Sequence, residues 1–349
     1  MEEKLKRTDN GINVLKFIAV VLVILIHETL PGNFGLLIEG LAAMSVPVFF
    51  MVSGYYSYGA SILKIRERTI KILRLTILVN VIYFIWDIAI EFFSGASVPD
   101  WIRQNCSLKK FLVLLLTNES PFRGHLWFLG ALTYSYLFLL ILLMYIERGR
   151  GRFARIIKEN RIKFMFSLSV LLLILNLACG EFLTFYGKNI QISYIPYIRN
   201  WLFMGIPFFS LAYCIHAYEE HIYRRFGTDK ICLILALLLL LNIAEVWFMP
   251  GSGLYITTIF VNITAFLLAL RFPIIKSPIL VRLGNLADKY GLWVYALQIM
   301  VIKSLRWLYG QWGIEDKAVV LYLSPLIALV ISFIISIIPV WISSVIKRK

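Results

Sequence analysis

Lys16 and His27 are ionisable residues within the first apolar run of the chain, Lys16 near its start and His27 near its end. They are eleven positions apart, a rotation of about 1100° at ~100° per helical residue, so both lie on one face of a helix. The rise of about 1.5 Å per residue separates them by roughly 16 Å along the helix axis. An ionisable residue inside a membrane-spanning run is by default a candidate functional residue.

Each of the two residues also has a structural interpretation. Lys16 could extend its ammonium group to the cytoplasmic interface, and His27 could be a core histidine bonded to a neighbouring helix. In the functional interpretation His27 is a general base, because an imidazole with an unperturbed pKa of about 6.5 can take a proton from a hydroxyl group near neutral pH. Of the four histidines, His27 alone is expected deep within a helix in the outer half of a membrane.

A second group of candidates is basic. Five cations fall between residues 64 and 74, and we expect them in a cytoplasmic loop. Because Arg side chains bind phosphate oxygens through two parallel hydrogen bonds, this segment could bind a polyphosphate such as coenzyme A. The alternative is that the cations only mark the cytoplasmic side of a membrane. The five are Lys64, Arg66, Arg68, Lys71 and Arg74.

Candidates for contact with a second substrate are expected on the opposite side. His125 begins a predicted helix just before Trp127, and Arg199 precedes another helix on the same side. Glu181 and Glu245 are expected near outer helix ends, where a carboxylate can orient the catalytic histidine or bind hydroxyl groups. Each of these residues is also compatible with an ordinary interfacial position, such as the aromatic belt of a membrane protein.

The composition indicates which elements position these residues. Of the 349 residues, 60% are hydrophobic and 16% are charged, whereas about a quarter are charged in a soluble domain. The net charge of +15 does not indicate nucleic-acid binding, because Lys and Arg cluster in short segments between apolar runs. The four cysteines show no metal-binding spacing, and no glycine-rich phosphate loop is present. We predict one all-α integral membrane domain over residues 1–349, with no separate soluble domain and no metal.

The apolar runs predict about ten transmembrane helices, since a bilayer core of ~30 Å needs about 20 apolar residues per helix. With the N-terminus inside, 25 of the 35 Lys and Arg residues fall on the cytoplasmic side and nine on the other, so both termini are predicted to be cytoplasmic. Leu108–Leu116 is too short to span and predicts an interfacial or re-entrant helix. The predicted spans are Ile12–Leu30, Gly35–Ser57, Ile70–Phe92, His125–Ile146, Phe164–Leu183, Trp201–Ala217, Ile231–Trp247, Leu254–Leu270, Leu292–Leu308 and Val319–Ile342.

Five sequence motifs occur in order along the chain: Lys16 with His27, Val46–Tyr55, Arg66-Glu67-Arg68, His125–Leu129 and Arg199–Phe209. Together they resemble the membrane acyltransferase-3 family of bacterial O-acyltransferases, over essentially the whole chain. Two positions depart from the family's pattern. Lys16 stands where Arg is more usual, which removes bidentate recognition. Gln298 stands where many relatives carry His, so a scheme with two histidines is not expected.

The resemblance implies a multi-pass enzyme of the plasma membrane. It implies transfer of an acyl group, usually acetyl, from cytoplasmic acyl-CoA to a hydroxyl of a cell-surface or lipid-linked glycan, with no nucleic acid as partner. Its general base would be His27. The site residues that we assign on this basis are His27 and Lys16 for catalysis, Arg66, Arg68, Lys71 and Arg74 for acyl-CoA, and His125, Trp127, Glu181 and Arg199 for the acceptor.

A multi-pass transporter or exporter of a glycan or small polar solute is the alternative. Ten helices with kinks at Pro47 and Pro207 would serve either function. Transporters usually contain paired half-repeats, and none is evident in this sequence. Another type of transmembrane acyltransferase, unrelated to this family, also uses an intramembrane histidine, but it does not match these ordered motifs. Release of free CoA from acetyl-CoA distinguishes an enzyme from a carrier.

Overall fold

A computed structural model describes residues 9–149, 151–182, 195–249 and 254–346, without the side chains of Glu39, Ile195, Pro196 and Ile346. These residues form helices and connecting turns, and none of them lies in a β-strand. The helices in chain order are α1 Asn10–His27, α2 Gly32–Ala42, α3 Ser45–Tyr55, α4 Ile62–Phe93, α5 Val98–Asn105, α6 Leu108–Thr117, α7 Trp127–Arg148, α8 Arg152–Glu159, α9 Arg161–Cys179, α10 Ile195–Ile198, α11 Ile206–Arg225, α12 Thr228–Phe248, α13 Ile256–Arg271, α14 Pro278–Gln311 and α15 Ala318–Ile346.

Two shorter turns complete the helical segments. A 3-10 turn, Gly124–Leu126, leads into α7, and a π-helical turn, Trp201–Gly205, leads into α11. Asn200 caps the π-helical turn, because its side-chain oxygen accepts hydrogen bonds from the backbone of Leu202 at 2.9 Å and Phe203 at 3.1 Å. Both turns fall at the starts of predicted spans.

Eight helical segments among the described residues are long and apolar enough to cross a membrane, judged by length and composition. The predicted all-α multi-pass membrane fold is confirmed. Helix α13 is a shorter apolar helix of 16 residues, and α14, with 34 residues, is not among the eight. The count of about ten spans and the single domain stay predictions. The chain termini, residues 1–8 and 347–349, lie outside the described residues.

The chain forms two compact units, each described here by itself. The first unit comprises Met1–Phe49 and Glu220–Lys349, and the second comprises Phe50–Glu219. His27, Lys16 and Gln298 therefore belong to the first unit. The candidates for binding acyl-CoA and the acceptor belong to the second.

In the first unit, α1 packs along α14 with the two helices running parallel. A Cβ atom added at Gly284 would lie 3.0 Å from the Val14 nitrogen, and one at Gly291 would lie 3.1 Å from the Val20 side chain. Small residues at these positions let the two backbones approach closely, as is common between membrane helices. Farther along α14, Val294 and Ile302 join Val20 and Ile24 of α1 in one buried apolar cluster.

In the second unit, the close approach of α3 to α11 depends on Gly54. A Cβ atom at this position would collide with the backbone carbonyl of Phe209. A second close approach involves Gly205, where an added Cβ would lie 2.7 Å from the Ser135 hydroxyl oxygen of α7. Gly54 is therefore a packing residue of the second unit.

Helix α1 ends at His27, three residues before the end that we predicted from hydropathy. Pro31 explains the difference, because it cannot continue a helix and disfavours helical geometry in the residue before it. His27 is accordingly the last residue of its helix rather than a residue within it. The predicted span Gly35–Ser57 is similarly interrupted, between the end of α2 and the start of α3.

The predicted cytoplasmic loop between Lys64 and Arg74 is wrong, because these residues form the first turns of α4. Ser61 begins the helix as its N-cap, and its hydroxyl accepts a hydrogen bond from the Lys64 backbone at 3.3 Å. Hydropathy misses this start, since the charged first turns are as helical as the apolar ones that follow. The predicted short helix at Leu108–Leu116 is confirmed as α6.

We expect Gly54→Ala to destabilise the protein. Overpacking a well-packed interface typically costs about 1–3 kcal/mol, and here the obstacle is backbone rather than a flexible side chain. Thermal unfolding of the purified protein in detergent measures the change. Gly151→Ala is the matched control, because an added Cβ there meets no atom within 4 Å. Equal melting temperatures for the two variants would contradict the packing account.

Candidate functional site

The last turn of α1 is fixed to α14 and α15 by a charged network. Arg306 of α14 donates from Nη2 to the His27 carbonyl oxygen at 2.7 Å and from Nε to the Glu28 carboxylate at 2.9 Å. Ser324 of α15 donates to the other Glu28 oxygen at 2.7 Å. Carbonyl groups at a helix C-terminus have no hydrogen-bond donor within the helix, so Arg306 supplies the donor for the His27 carbonyl. His27 is half-buried at this anchored end.

Sequence reasoning missed this network. Glu28 is rotated about 100° from His27 on an ideal helix, so the face shared by Lys16 and His27 does not point to it. The opposite charges of Glu28 and Arg306 within apolar segments were the available signal, but 278 positions separate the two residues in the chain. No periodicity argument connects positions so far apart.

Lys16 also has a defined partner. Its ammonium group lies 2.7 Å from the Asp288 carboxylate of α14 and 3.2 Å from the Asn13 side-chain oxygen. The Lys16 side chain is 15% exposed. The structure thus joins Lys16 to α14 but does not bring it to His27, which lies three turns farther along the same helix.

Gln298, on α14, is fully buried. Neither its amide nitrogen nor its amide oxygen has a hydrogen-bond partner among the described residues. Buried side-chain amides in native proteins are normally hydrogen-bonded. This position therefore needs a physical explanation beyond packing.

The basic residues of α4, in the second unit, do not form a single surface. At ~100° per residue, Arg66 lies about 200° from Arg68, whereas Arg68 and Lys71 are about 60° apart. Arg68 donates to the Tyr56 carbonyl oxygen at 2.7 Å and to the Ser57 hydroxyl at 3.2 Å, so it also supports the end of α3. Arg66, Lys71 and Arg74 are exposed.

On the predicted outer side of the second unit, the structure brings three acceptor candidates to the segments around α7. His125 lies in the 3-10 turn, is 7% exposed, and has its ring 5.2 Å from the ring of Tyr83. The Arg199 guanidinium lies over the ring of Trp127, 5.5 Å from its centroid. This distance is typical of a cation–π interaction.

Asn118 connects the two segments that carry these residues. Its side-chain nitrogen donates to the Trp127 carbonyl oxygen at 2.7 Å, and its side-chain oxygen accepts from the Trp201 backbone at 2.8 Å. Asn118 has a φ of 58°, a left-handed conformation that Asn tolerates better than most residues. Sequence reasoning did not single it out.

The two glutamates have different surroundings. Glu181, which follows α9 in the second unit, is 1% exposed, so it is not the interfacial residue of the alternative interpretation. Glu245, in the first unit, caps α13 by accepting hydrogen bonds from the backbone of Ile256 at 3.2 Å and Thr257 at 2.9 Å. Glu245 is therefore a structural residue of the α12–α13 connection.

Arg199 also faces a carboxylate outside the spans. Burial raises the pKa of the Glu119 carboxyl above its usual range, while the charges of Arg199 and Lys110 oppose the rise. Protonation of Glu119 would leave the guanidinium of Arg199 with more of its charge available to a ligand. This couples the charge near Trp127 to pH on the predicted outer side.

A buried ion pair lies beside His125. The Arg123 guanidinium bonds to the Asp87 carboxylate, with side chains 19% and 4% exposed respectively. The guanidinium also lies over the ring of Trp86, 5.1 Å from its centroid. Asp87 sits within the apolar length of α4, where an acidic residue needs a partner. Sequence reasoning overlooked this pair.

The fold and these polar groups are those of a membrane acyltransferase, the class to which a comparison of sequences assigns the chain. A scan against protein families matches one family, described as an acyltransferase domain, over residues 9–345. The chain belongs to this acyltransferase-3 family, as the five ordered motifs predicted. Searches among curated proteins and among solved structures each gave no significant match.

We expect Asp87→Asn to be strongly destabilising, because it leaves the Arg123 charge buried without its counter-charge. Breaking a buried ion pair in this way typically costs about 3–5 kcal/mol. Asp100→Asn is the control, since the Asp100–Arg103 pair is exposed and its loss should cost less than about 1 kcal/mol. Unfolding in detergent measures both variants. A difference too small to detect would show that the Asp87 pair does not hold α4 to the segment before α7.

Proposed function

We propose that the protein transfers an acyl group, usually acetyl in the enzymes that it resembles, from cytoplasmic acyl-CoA to a hydroxyl of a cell-surface or lipid-linked glycan at the plasma membrane. The observation that carries this proposal is the position of His27, a half-buried imidazole at the end of an apolar helix. Arg306 holds the carbonyl group of His27 and the carboxylate of Glu28, the next residue. An anchored base is what general-base catalysis requires.

In the proposed reaction His27 accepts one proton and gives it back. The acceptor hydroxyl attacks the thioester carbonyl carbon as His27 takes the hydroxyl proton. A new C–O bond forms, the C–S bond breaks, and the departing thiolate takes the proton back from His27. The histidine returns to its starting state, and no metal or further cofactor takes part. Lys16, paired with Asp288, holds the other end of the same helix.

Acyl-CoA binding is assigned to the basic turns at the start of α4. Coenzyme A carries a pyrophosphate and a 3′-phosphate, and cations on one helix face can contact such groups together. Arg68 and Lys71 share a face, with Arg74 about 60° beyond Lys71. Arg66 points away from this face, so of the four basic residues that the resemblance implies we expect it to contribute least.

Acceptor binding is assigned to the outer-side residues of the second unit. Trp127 and Arg199 form a stacked pair, with His125 in the turn that precedes Trp127. Such a set offers a flat apolar ring and hydrogen-bond donors, which suits a polyhydroxylated ligand. Glu181 supplies a buried carboxylate that can accept from hydroxyl groups.

We expect Arg68→Ala combined with Lys71→Ala to weaken acyl-CoA binding by about 30–700-fold, or about 2–4 kcal/mol, because each charged hydrogen bond is worth about 1.5–3 kcal/mol and part of the loss is compensated. Isothermal titration with acetyl-CoA measures the affinity. Arg66→Ala is the matched control and should leave it nearly unchanged. Since Arg68 also bonds Tyr56, the melting temperature is recorded for each variant. Equal losses from Arg66 and from the pair would contradict the assignment of one binding face.

We expect His27→Gln to lower acyl transfer by about 10²–10⁴-fold, because an amide can form hydrogen bonds but cannot take up the proton. His27→Ala should be at least as damaging, and both should bind acetyl-CoA normally. The assay supplies radiolabelled acetyl-CoA to membranes from expressing cells and follows free CoA and labelled polysaccharide.

One result would contradict the assignment of His27 as the general base. Transfer by His27→Gln at more than about a third of the wild-type rate would make His27 a packing or orienting residue. The base would then be sought at Glu181 or His125. Release of no CoA by the wild-type protein would favour a carrier instead of an enzyme.

A further inference from the structure

The Gln298 carboxamide is a buried polar group that the packing of the described residues does not explain. The side chain has no exposed surface, and both of its polar atoms lack hydrogen-bond partners within the described part of the chain. A carboxamide carries two donor hydrogens and an acceptor oxygen. Burying these groups without partners lowers stability, so selection for stability alone would favour an apolar residue.

The surroundings of Gln298 are apolar. Val294 and Val301 lie one turn before and after it on α14 and belong to the buried cluster that also includes Ile24 of α1 and Ala328 of α15. These side chains offer no hydrogen-bonding group. None of these neighbours can satisfy the amide, so a bound molecule is a partner that the described residues leave open.

The register between α1 and α14 leads us to expect Gln298 near the level of His27. Gly291 lies against Val20, and the two helices run parallel. Gln298 is seven residues beyond Gly291, and His27 is seven residues beyond Val20. Seven residues turn a helix by about 700°, only ~20° short of two full turns, so each residue keeps the face of its predecessor. We therefore expect His27 and Gln298 on the facing sides of the two helices at a similar level.

We propose that Gln298 binds the carbonyl oxygen of the transferred acyl group and stabilises the negative charge that develops there during transfer. This inference rests on the proposed function and deepens it. As the acceptor oxygen attacks the carbonyl carbon, the C=O electron pair moves onto the carbonyl oxygen, and the Gln298 Nε2 hydrogens donate to it. The pair returns when the C–S bond breaks. Gln298 itself neither gains nor loses a proton.

The chemistry of the position suits this role. A donor for such an oxyanion must be fixed before the reaction and shielded from water, where its hydrogen bond is strongest. Gln298 meets both conditions, since it is enclosed by packed side chains on a helix. The amide is neutral, so it can be buried at lower cost than a cation while it waits for the substrate.

Replacement of Gln298 by Met separates this role from a structural one. Met has a similar length and no amide, so Gln298→Met removes no hydrogen bond within the protein. We expect turnover to fall by about 10²–10³-fold, the usual effect of removing one oxyanion donor. The KM for acetyl-CoA should change little, because the bond strengthens only in the transition state. The melting temperature should be unchanged or higher.

A second variant removes the donor with a side chain of a different shape. Gln298→Leu is branched and apolar, so it also offers no hydrogen to the carbonyl oxygen. It should lose about as much turnover as Gln298→Met. Wild-type turnover by Gln298→Leu would overturn the proposal.

Asn242→Leu is the matched control for stability. Asn242 is another buried amide of the same unit, and its nitrogen donates to the hydroxyls of Thr257 at 2.8 Å and Thr258 at 3.1 Å. Its replacement should lower the melting temperature and leave turnover per folded molecule unchanged. A fall in melting temperature for Gln298→Met as large as that for Asn242→Leu, or turnover within about threefold of wild type, would overturn the proposal.

His27→Gln in the same assay distinguishes the proposed function from the proposed role of Gln298. If His27→Gln is inactive and Gln298→Met is active, the proposed function stands and the role of Gln298 is wrong. If Gln298→Met is inactive with an unchanged melting temperature and His27→Gln is active, the oxyanion role stands and the assignment of the base is wrong. If wild-type protein transfers nothing from acetyl-CoA, the proposed function fails and the acyl-binding role of Gln298 fails with it.

Discussion

Charged side chains within apolar helices need partners, and this constraint organises both units of the protein. A lone charge in a low-dielectric interior is costly, and three such charges among the described residues are matched by an opposite charge on a distant segment. The matched pairs connect helices that apolar packing alone would leave free to slide or rotate. The pairs are Lys16 with Asp288 and Glu28 with Arg306 in the first unit, and Asp87 with Arg123 in the second.

The consequence for the first unit is a fixed α1. Lys16 ties its early turns to α14, and Arg306 ties its last turn to the same helix. Small residues such as Gly284 hold the backbones close between these points. A histidine at the end of such a helix has little freedom to move relative to α14. Gln298, on α14, is a buried polar group of this unit that such pairing does not satisfy among the described residues.

Much of the fold could be predicted from the sequence, because hydropathy is a local property and each span is a continuous apolar run. The end of α1 at His27 and the helical start of α4 were not, since they depend on Pro31 and on the Ser61 cap rather than on hydropathy. The site was predicted residue by residue, but not its connections. The partners of Lys16 and Glu28 lie 272 and 278 positions away, and only the packing of α1 on α14 brings them together.

The same packing explains why Lys suits position 16 where relatives more often carry Arg. Asp288 accepts a single bond from the Lys16 ammonium group, and Asn13 accepts another from a different direction. The lysine ammonium group can direct its three N–H donors to two separate acceptors, which the planar donor pair of a guanidinium does less readily. Arg306 has the opposite task, because it must reach the Glu28 carboxylate and the His27 carbonyl together. A planar guanidinium with fixed donors meets that geometry, so each cation matches the number and direction of the acceptors it faces.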